Sequence, residues 1–211
     1  MDKLKTLYSE NRQFLLFIAL MLVFRSAVAD WNSVPTGSMK PTIVEGDRIL
    51  IDKLAYDVRL PFTQTPIYHI ADPERGDIVI FESQAAGNRL VKRVVGVPGD
   101  TVAMVDNRLI INGSPLGYHT AQNGDLIESL TSQGHSIKTA PFASPMQNFA
   151  AVTVPEKKYL VLGDNRDNSA DSRVIGLVPR EEIIGKSNKV VMSLNYDNFY
   201  LPRPERFFHN I

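Results

Sequence analysis

Residues 89–95 have the sequence RLVKRVV, and residues 96–100 follow them as GVPGD. The β-branched and aliphatic side chains favour a strand, and the glycines and the proline behind them favour a turn. Residues 101–105 (TVAMV) repeat the strand composition directly after that turn. The stretch therefore predicts two short strands bounded by turns, and the same pattern extends in both directions along the chain.

Five further runs have this composition, namely residues 48–52, 77–81, 108–113, 157–163 and 186–194. No long stretch after residue 30 shows a 3.6-residue apolar period, so helices are not expected there. These runs predict a mostly β fold, an antiparallel barrel-like or sandwich sheet system. Residues 114–155 are instead rich in Gly, Ser, Gln, Thr, Pro and His, which predicts a small inserted lobe or long excursion.

The bulk composition excludes several classes of function. The 211 residues suit one globular unit with an appendage, and 23 basic residues balance 23 acidic ones. Without a block of Lys and Arg, nucleic acid is not an expected partner. The chain has no cysteine, which rules out disulfides, thiol nucleophiles and cysteine-based metal sites.

The N-terminus carries an apolar run, FLLFIALMLVF, at residues 14–24. Three basic residues precede it, namely Lys3, Lys5 and Arg12. By the positive-inside rule this end stays cytoplasmic and the rest is exported. Residues 13–31 would reach roughly 28 Å as a helix, close to the thickness of a bilayer core. We therefore expect a cytoplasmic segment at 1–12, a transmembrane signal anchor at 13–31 and an extracytoplasmic domain at 32–211.

A cleavable signal peptide is the alternative, because residues 27–29 (Ala-Val-Ala) form a small-x-small cleavage site. From the pattern alone the two interpretations are nearly balanced, and the segments after Asp30 favour the anchor. If the helix continues through this site, the Ala29–Asp30 bond is denied the extended conformation that a peptidase needs. Trp31 suits the aromatic belt of a membrane interface.

Residues 34–42 (VPTGSMKPT) constrain one serine tightly. Ser38 follows Gly37 and lies between Pro35 and Pro41, and prolines fix their own φ and restrict the residue before them. Such a segment presents a nucleophile at a fixed angle. A serine alkoxide also needs a proton acceptor near neutral pH.

Lys92 is the candidate for that base. In a strand Lys92 and Arg93 face opposite sides, and a buried lysine has a lowered pKa. Arginine stays protonated and cannot serve as a base. The alternatives are a solvated Lys92 paired with an acidic neighbour, and a Ser-His-Asp triad using one of the four histidines, His69, His119, His135 or His209.

A third segment, residues 163–173, has the polar sequence GDNRDNSADSR directly after a predicted strand. It could be a solvated surface loop or a calcium-binding loop. Calcium is disfavoured because the glycine at the sixth position and the terminal bidentate glutamate are missing. The functional interpretation is a hydrogen-bonded scaffold that orients a buried base.

Five motifs in series closely resemble bacterial type I signal peptidase, the leader peptidase of the Sec and Tat export systems. They are residues 35–42, Gly46-Asp47, residues 75–77 (Arg-Gly-Asp), Lys92-Arg93 with residues 98–100, and residues 163–173. The resemblance runs from about residue 14 to residue 193 and is interrupted by the excursion at 114–155. Many members of that family have two membrane segments, whereas this chain has room for one.

The resemblance implies a Ser/Lys dyad that uses no cofactor and no metal. Ser38 would be the nucleophile and Lys92 the general base. The residues that would support them are Thr36 in the oxyanion hole, Ser169 orienting the amine, and Asp171 with Arg173 as an ion pair. The residues that would shape the pockets for small substrate side chains are Val34, Met39, Ile43 and Val91. Lys40, beside the nucleophile, is given a surface role.

The implied function is that of a serine endopeptidase of the bacterial plasma membrane, single-pass, which removes signal peptides from exported preproteins after Ala-x-Ala sites. Its partners would be those preproteins, the lipid bilayer and the Sec or Tat machinery. Two alternatives remain open at this stage. One is a dedicated processing peptidase of the same chemistry, for pilins or conjugation proteins. The other is a non-enzymatic, exported β-rich binding protein.

Overall fold

The computed structural model describes residues 2–122 and 124–211, with side chains from residue 11 onward. The side chains of Lys3 and Lys5, on which the predicted cytoplasmic segment 1–12 depends, therefore lie outside the described residues. Across the described part of the chain, no helix combines the length and the hydropathy that crossing a membrane requires.

Strands follow one long N-terminal helix, α1 (Asp2–Ala27). The first nine strands are β1 (Ala29–Ser33), β2 (Asp47–Asp52), β3 (Asp57–Arg59), β4 (Pro66–His69), β5 (Ile78–Ser83), β6 (Asn88–Gly96), β7 (Thr101–Val105), β8 (Arg108–Ile111) and β9 (Ser114–Pro115). The others are β10 (Tyr118–Thr120), β11 (Leu126–Glu128), β12 (His135–Ile137), β13 (Phe149–Thr153), β14 (Lys158–Leu162), β15 (Val178–Pro179), β16 (Ile183–Ser187), β17 (Lys189–Asn195), β18 (Leu201–Pro202) and β19 (His209–Asn210). A short helix, α2 (Ser172–Ile175), follows β14, and 3-10 turns lie at Arg180–Glu182 and Pro204–Arg206.

The main antiparallel sheet has the strand order β15-β14-β6-β5-β16-β2-β17-β18, with β1 added on β2 and β19 on β17. Strand β6 pairs with β5 along its first six residues, from Asn88 opposite Ser83 to Arg93 opposite Ile78. On its other side, β14 pairs only with residues 93–96 of β6. The segment 88–92 of β6 therefore has a strand neighbour on one side and an open edge on the other.

The predicted excursion at 114–155 divides between two smaller sheets. Strands β10, β11 and β12 form a three-stranded antiparallel sheet of their own. Strand β13 returns to pair with β7, so it belongs to the sheet β13-β7-β8-β9. The weak apolar pattern of this region is clearest in β13, where four of the five residues are exposed.

Three apolar clusters fill the interior. One lies between β2, β5, β16 and β17 and includes Ile49, Ile51, Ile80 and Val190, each fully buried. A second packs β7 and β8 against β14, and a third packs β5 and β6 against β14, β15 and the start of β16. Burial of such side chains contributes about 1.5–3 kcal/mol each. The first cluster lies directly under the turn that carries Ser38, because Met39 and Ile43 belong to it.

The mostly β, antiparallel fold predicted from the sequence is confirmed. One predicted strand, residues 186–194, is divided, because the chain leaves the ladder at Asn188 between β16 and β17. Both halves pair with β2, at Lys186 opposite Asp52 and at Val190 opposite Ile49. Both halves face the same interior, because Ile184 and Val190 belong to one apolar cluster.

The expected helical continuation through the Ala29–Asp30 bond is wrong. The helix ends at Ala27, and Ala29 begins β1, so the backbone at this bond is extended. The bond lies within the pairing of β1 with β2, with Ala29 opposite Asp52 and Asp30 opposite Ile51. The Asp30 carboxylate also accepts two hydrogen bonds from Arg25, one at 2.6 Å, which ties the helix end to the strand.

Candidate active site

Lys92 projects from β6 into a buried position beside the nucleophile turn. Its side chain is 2% exposed, and its Nζ donates to Ser38 Oγ at 2.8 Å and to the Val91 carbonyl at 3.0 Å. Arg93 points to the other side of the strand, as alternation requires, and donates to both carboxylate oxygens of Asp164 at 2.9 and 2.7 Å. The strand therefore places the amine that can lose its proton against the serine, and the guanidinium away from it.

Burial sets the charge state of Lys92. Removal of the amine from water disfavours its ammonium form and lowers its pKa from 10.5 to about 8, although the negative charges of Asp171 and Asp164 act in the opposite direction. A pKa near 8 leaves a useful fraction of neutral amine at physiological pH. The pair Ser38–Lys92 thus has the geometry and the protonation state that general-base activation of a serine requires.

The turn that carries Ser38 is held by packing against the first apolar cluster and by a hydrogen bond to Asp164. Met39 packs in the first apolar cluster, and its carbonyl accepts from the Ile43 N–H at 2.9 Å. Thr42 donates to Asp164 at 2.5 Å, so Asp164 joins this turn to Arg93 on β6. Burial would raise the pKa of Asp164, yet Arg93 holds it below its ordinary value.

The loop after β14 packs directly on this turn. A Cβ on Gly163 would lie closer to the Ser38 carbonyl oxygen and to the Ser169 hydroxyl than real Cβ atoms approach. Glycine is therefore required at 163 for the loop to reach the nucleophile turn at all. The Gly163 N–H donates to Asp171 at 2.9 Å, which fixes the start of the loop to its end.

Asp171 and Arg173 form a bidentate ion pair, with Nη2 to Oδ2 at 2.6 Å and Nε to Oδ1 at 2.8 Å. Asp171 is fully buried and also caps α2 by accepting from the Arg173 N–H. Ser169 is buried next to Gly163, but its hydroxyl has no hydrogen-bond partner among the described residues. The hydrogen bond to Lys92 that the resemblance implies is therefore not formed in this structure.

Thr36 lies two residues before the nucleophile and is exposed. Its hydroxyl and the Ser38 N–H both lack a partner within the described chain, so both can donate to a bound group. Lys40 forms an ion pair with Glu45 at 2.6 Å and makes no bond to Ser38. That arrangement fits the surface role given to Lys40.

The residues predicted to shape substrate pockets lie mostly beneath the surface. Met39 and Ile43 are at most 1% exposed and Val34 is 5% exposed, all within the first apolar cluster. Val91 packs against the same cluster but is only half-buried. The first three therefore support the floor of the site, and Val91 is the one of the four with substantial open surface.

The histidines do not provide the base. His135 is half-buried, with its side chain 9% exposed, whereas His69, His119 and His209 are exposed. Within the described residues, the Ser38 hydroxyl is bonded by Lys92 and by no histidine. His135 instead faces Glu128 and Asp164, at 3.5 and 3.6 Å.

Sequence reasoning missed the buried polar side chains around the 163–173 loop. Arg166 is 1% exposed and donates to both carboxylate oxygens of Glu128 at 2.9 and 2.6 Å. Asn165 is also buried and bonds to the nucleophile turn. A polar loop ordinarily indicates solvent exposure, and only the match of residues 163–173 to a known motif could have suggested burial.

A cavity of about 510 Å³ lies between Arg75, His135 and Lys186. Neither Ser38 nor Lys92 lines it. The dyad instead lies beside the open edge of β6, where residues 88–92 lack a second strand neighbour. An open strand edge suits an extended peptide by β-addition, whereas an enclosed pocket suits a small molecule.

Comparison with known proteins places this site in a family. The sequence model of the family described as signal peptidase, peptidase S26, matches residues 8–192, and the chain belongs to this family. The signal peptidase I of Pseudomonas aeruginosa is 35% identical over 213 residues, which cover 92% of this chain and 75% of that protein. The signal peptidase I of Rickettsia bellii is 36% identical, over 90% of this chain and 74% of that protein.

A crystal structure of a signal peptidase I from Enterococcus faecalis also matches, at 34% identity with a TM-score of 0.38. That match covers 56% of this chain and 97% of the solved one. The resemblance inferred from the five motifs is thus confirmed by the family match and by the two curated relatives.

Proposed function

We propose that this serine peptidase removes signal peptides from exported preproteins after Ala-x-Ala sites, with Ser38 as nucleophile and Lys92 as general base. Membership of the signal peptidase family supports the substrate class. The observation that carries the proposal is the 2.8 Å contact between Lys92 Nζ and Ser38 Oγ, made by an amine that is almost fully buried.

In the proposed acylation step, neutral Lys92 takes the proton of the Ser38 hydroxyl while Oγ attacks the carbonyl carbon of the scissile bond. The electron pair of the carbonyl moves onto its oxygen, which becomes an oxyanion. The Ser38 N–H and the Thr36 hydroxyl, both without partners among the described residues, are the donors available to it. Lys92 then gives its proton to the leaving amine nitrogen, the C–N bond breaks, and an ester on Ser38 remains.

In deacylation the same lysine, neutral again, takes a proton from water as the water oxygen attacks the ester carbonyl. The C–Oγ bond breaks and Ser38 recovers its proton from Lys92, which leaves a carboxylate on the released signal peptide. Asp171 and Arg173 support this cycle by fixing the loop that encloses the amine. The buried Ser169 hydroxyl, which has no partner in this structure, can turn to the amine at either step.

An extended substrate would add to the open edge of β6 next to Lys92. Backbone hydrogen bonds would provide affinity there, and alternate side chains would point into the site. Val91 would contact the substrate, and Val34, Met39 and Ile43 would fill the space beneath it. A filled floor leaves room for small side chains only, which supports specificity for alanine.

The position of the chain at a membrane is part of the same proposal. The described part of α1 exposes large apolar side chains, among them Phe14 at 62% and Phe17 at 58%. Exposed apolar surface of this kind indicates contact with lipid or protein. We propose that α1 holds the catalytic domain at the outer face of a bacterial plasma membrane, where the Sec and Tat systems deliver preproteins.

The test is cleavage of a preprotein with an Ala-x-Ala site by the full chain in detergent, with product ends read by mass spectrometry. Wild type is expected to cut after the second alanine, and Ser38→Ala and Lys92→Met to lose at least about 1,000-fold in kcat/KM. Lys40→Met is the matched control, because it removes a neighbouring amine that does not touch Ser38. Retained cleavage in Lys92→Met would overturn the assigned base, and cleavage of a dedicated substrate alone would overturn the broad specificity.

A further inference from the structure

Asn165 holds the backbone on both sides of the nucleophile. Its side-chain Nδ2 donates to the Gly37 carbonyl at 2.9 Å, and its backbone N–H donates to the Ser38 carbonyl at 3.0 Å. Asn165 is 7% exposed, so both bonds are shielded from water. No role in the reaction has so far been given to this side chain.

Asn165 is itself fixed from behind. Lys138, after β12, donates its N–H to the Asp164 carbonyl at 2.8 Å and accepts from the Arg166 N–H at 2.8 Å. This parallel bridge encloses Asn165 between the two bonds. The backbone of Asn165 is therefore tied to the chain that leaves the three-stranded sheet, which makes it a firm base for the side-chain amide.

The bond to Gly37 has a geometric consequence for the next residue. The Gly37 carbonyl and the Ser38 N–H belong to one planar peptide, and in a trans peptide they point in opposite directions. Fixing the carbonyl oxygen therefore fixes the direction of the N–H. A hydrogen bond accepted by the carbonyl also polarises the peptide and strengthens its N–H as a donor.

We propose that Asn165 is a positioning residue that aims the Ser38 N–H at the oxyanion of the tetrahedral intermediate. The inference rests on the proposed function, since it requires Ser38 to attack a carbonyl. Asn165 touches neither the substrate nor the reacting atoms; it acts through the Gly37–Ser38 peptide. Its contribution arises when negative charge develops on the carbonyl oxygen, and the bound substrate gains little from it.

Because the contribution of Asn165 arises only in the transition state, kinetic measurements can distinguish a residue that orients the Ser38 N–H from one that only supports the fold. A residue that only holds the turn would weaken substrate binding and transition-state binding together. A residue that aims the oxyanion donor lowers kcat and leaves KM nearly unchanged. A peptide aldehyde is the appropriate probe: Ser38 Oγ adds to its carbon, the hydroxyl proton moves to Lys92, and the carbonyl electrons form the same oxyanion. The matching peptide alcohol binds without an oxyanion.

The experiment compares full-length wild type with Asn165→Asp and Asn165→Ala. Asn165→Asp keeps the shape of the side chain but replaces the donor by a carboxylate oxygen that repels the Gly37 carbonyl, so it tests the role even if Asn165→Ala does not fold. The matched control is Asn168→Ala in the same loop, because Asn168 is exposed and its side chain makes no hydrogen bond to the described residues.

Both Asn165 variants are expected to lose about 10- to 100-fold in kcat with KM within about twofold of wild type. Affinity for the aldehyde should fall by the same factor, affinity for the alcohol should stay within about twofold, and the pH at which activity rises should not move. Equal weakening of aldehyde and alcohol, or an unchanged kcat, would overturn the positioning role.

Failure of the underlying function gives a different result. A wild-type protein that neither cleaves an Ala-x-Ala peptide nor forms an aldehyde adduct on Ser38 would overturn the proposed function and this inference with it. A wild type that does both while Asn165→Asp matches it in every readout would overturn the positioning role alone.

Discussion

At the scale of single residues, the proposed reaction depends on the protonation of Lys92. Burial lowers its pKa to about 8, and only the neutral amine can accept the Ser38 proton. We expect kcat/KM to rise about tenfold per pH unit below about pH 8 and to level off above it. The measurement is the pH profile of cleavage of a peptide substrate, and a profile that keeps rising to about pH 10 would contradict a buried, depressed amine.

Gly163 gives a second prediction at this scale. Gly163→Ala would force its Cβ into the Ser38 carbonyl and the Ser169 hydroxyl, and the carbonyl belongs to backbone that cannot turn away. We expect kcat/KM to fall at least about 100-fold, because a shift of about 1 Å in the nucleophile is sufficient for that loss. Cleavage rates and the urea unfolding midpoint would be measured together.

The matched control for Gly163→Ala is Gly117→Ala, where the added Cβ would meet Ser129 at an ordinary distance of 3.4 Å. The control should keep wild-type activity. A Gly163→Ala protein with normal kcat/KM would show that the loop can withdraw from Ser38 without consequence.

The sequence was sufficient to choose a candidate base, because only one of two neighbouring basic residues can lose its proton. Strand alternation and the permanent charge of arginine together indicate Lys92 over Arg93 as the base, and in the structure Lys92 is the one that contacts Ser38. The burial of Met39 and Ile43 was not predictable, because an apolar residue beside a nucleophile suits a pocket wall and a core position equally.

At the scale of elements, the loop 163–173 is anchored to the three-stranded sheet by the ion pair Arg166–Glu128. Both side chains are at most 1% exposed. Removing one partner leaves a buried charge without compensation, so Glu128→Gln and Arg166→Met are each expected to destabilise the protein by about 3–5 kcal/mol. The double variant should be less destabilised than the sum of the two, as a double-mutant cycle in urea would show.

The control for this pair is Arg89–Glu82, which joins β6 to β5 on the surface with partners 33% and 50% exposed. Loss of such a surface pair costs about 0–1 kcal/mol. If Glu128→Gln lowered the free energy of unfolding as little as Glu82→Gln does, the three-stranded sheet would not support the loop 163–173.

The sequence could not show which side chains from distant segments of the chain contact each other. The longer strands of the main sheet were predictable, because each run carries its own β-branched pattern and turn residues. The strands β1, β15, β18 and β19 of that sheet were not predicted. The pairing of Glu128 with Arg166 joins residues that are 38 positions apart, and neither neighbourhood shows an apolar period. A buried pair of this kind becomes visible only when the fold brings the two segments together.

At the scale of the whole molecule, the excursion, the main sheet and the loop 163–173 meet at one buried junction around Asp164. Asp164 accepts from Arg93 on β6 and from Thr42 in the nucleophile turn, while His135 on β12 faces it from the excursion. Ser38 adjoins this junction, because the N–H of Asn165, next to Asp164, donates to the Ser38 carbonyl. We therefore expect the stability of the junction to determine whether Ser38, Lys92 and the loop 163–173 remain in register.

His135 makes this junction sensitive to acid. Burial, together with the positive charges of Arg93 and Arg166, lowers its pKa from 6.5 to about 4, against the opposing effect of the facing carboxylates Asp164 and Glu128. The folded state then binds fewer protons than the unfolded state between about pH 6.5 and pH 4. The free energy of unfolding should consequently fall as the pH drops through that window, by up to about 3 kcal/mol.

Urea unfolding at several pH values between about 7 and 4 tests this loss of stability in acid. The proteins compared are wild type, His135→Gln and the exposed control His119→Gln. His135→Gln removes the group that titrates, so its unfolding free energy should decline less with acid than that of wild type, whereas His119→Gln should follow wild type. Carboxylates held at low pKa, such as Asp57 and Asp100, contribute equally to all three proteins and cancel in the comparison. Parallel curves for wild type and His135→Gln would mean that the junction opens and hydrates His135 before the protein unfolds.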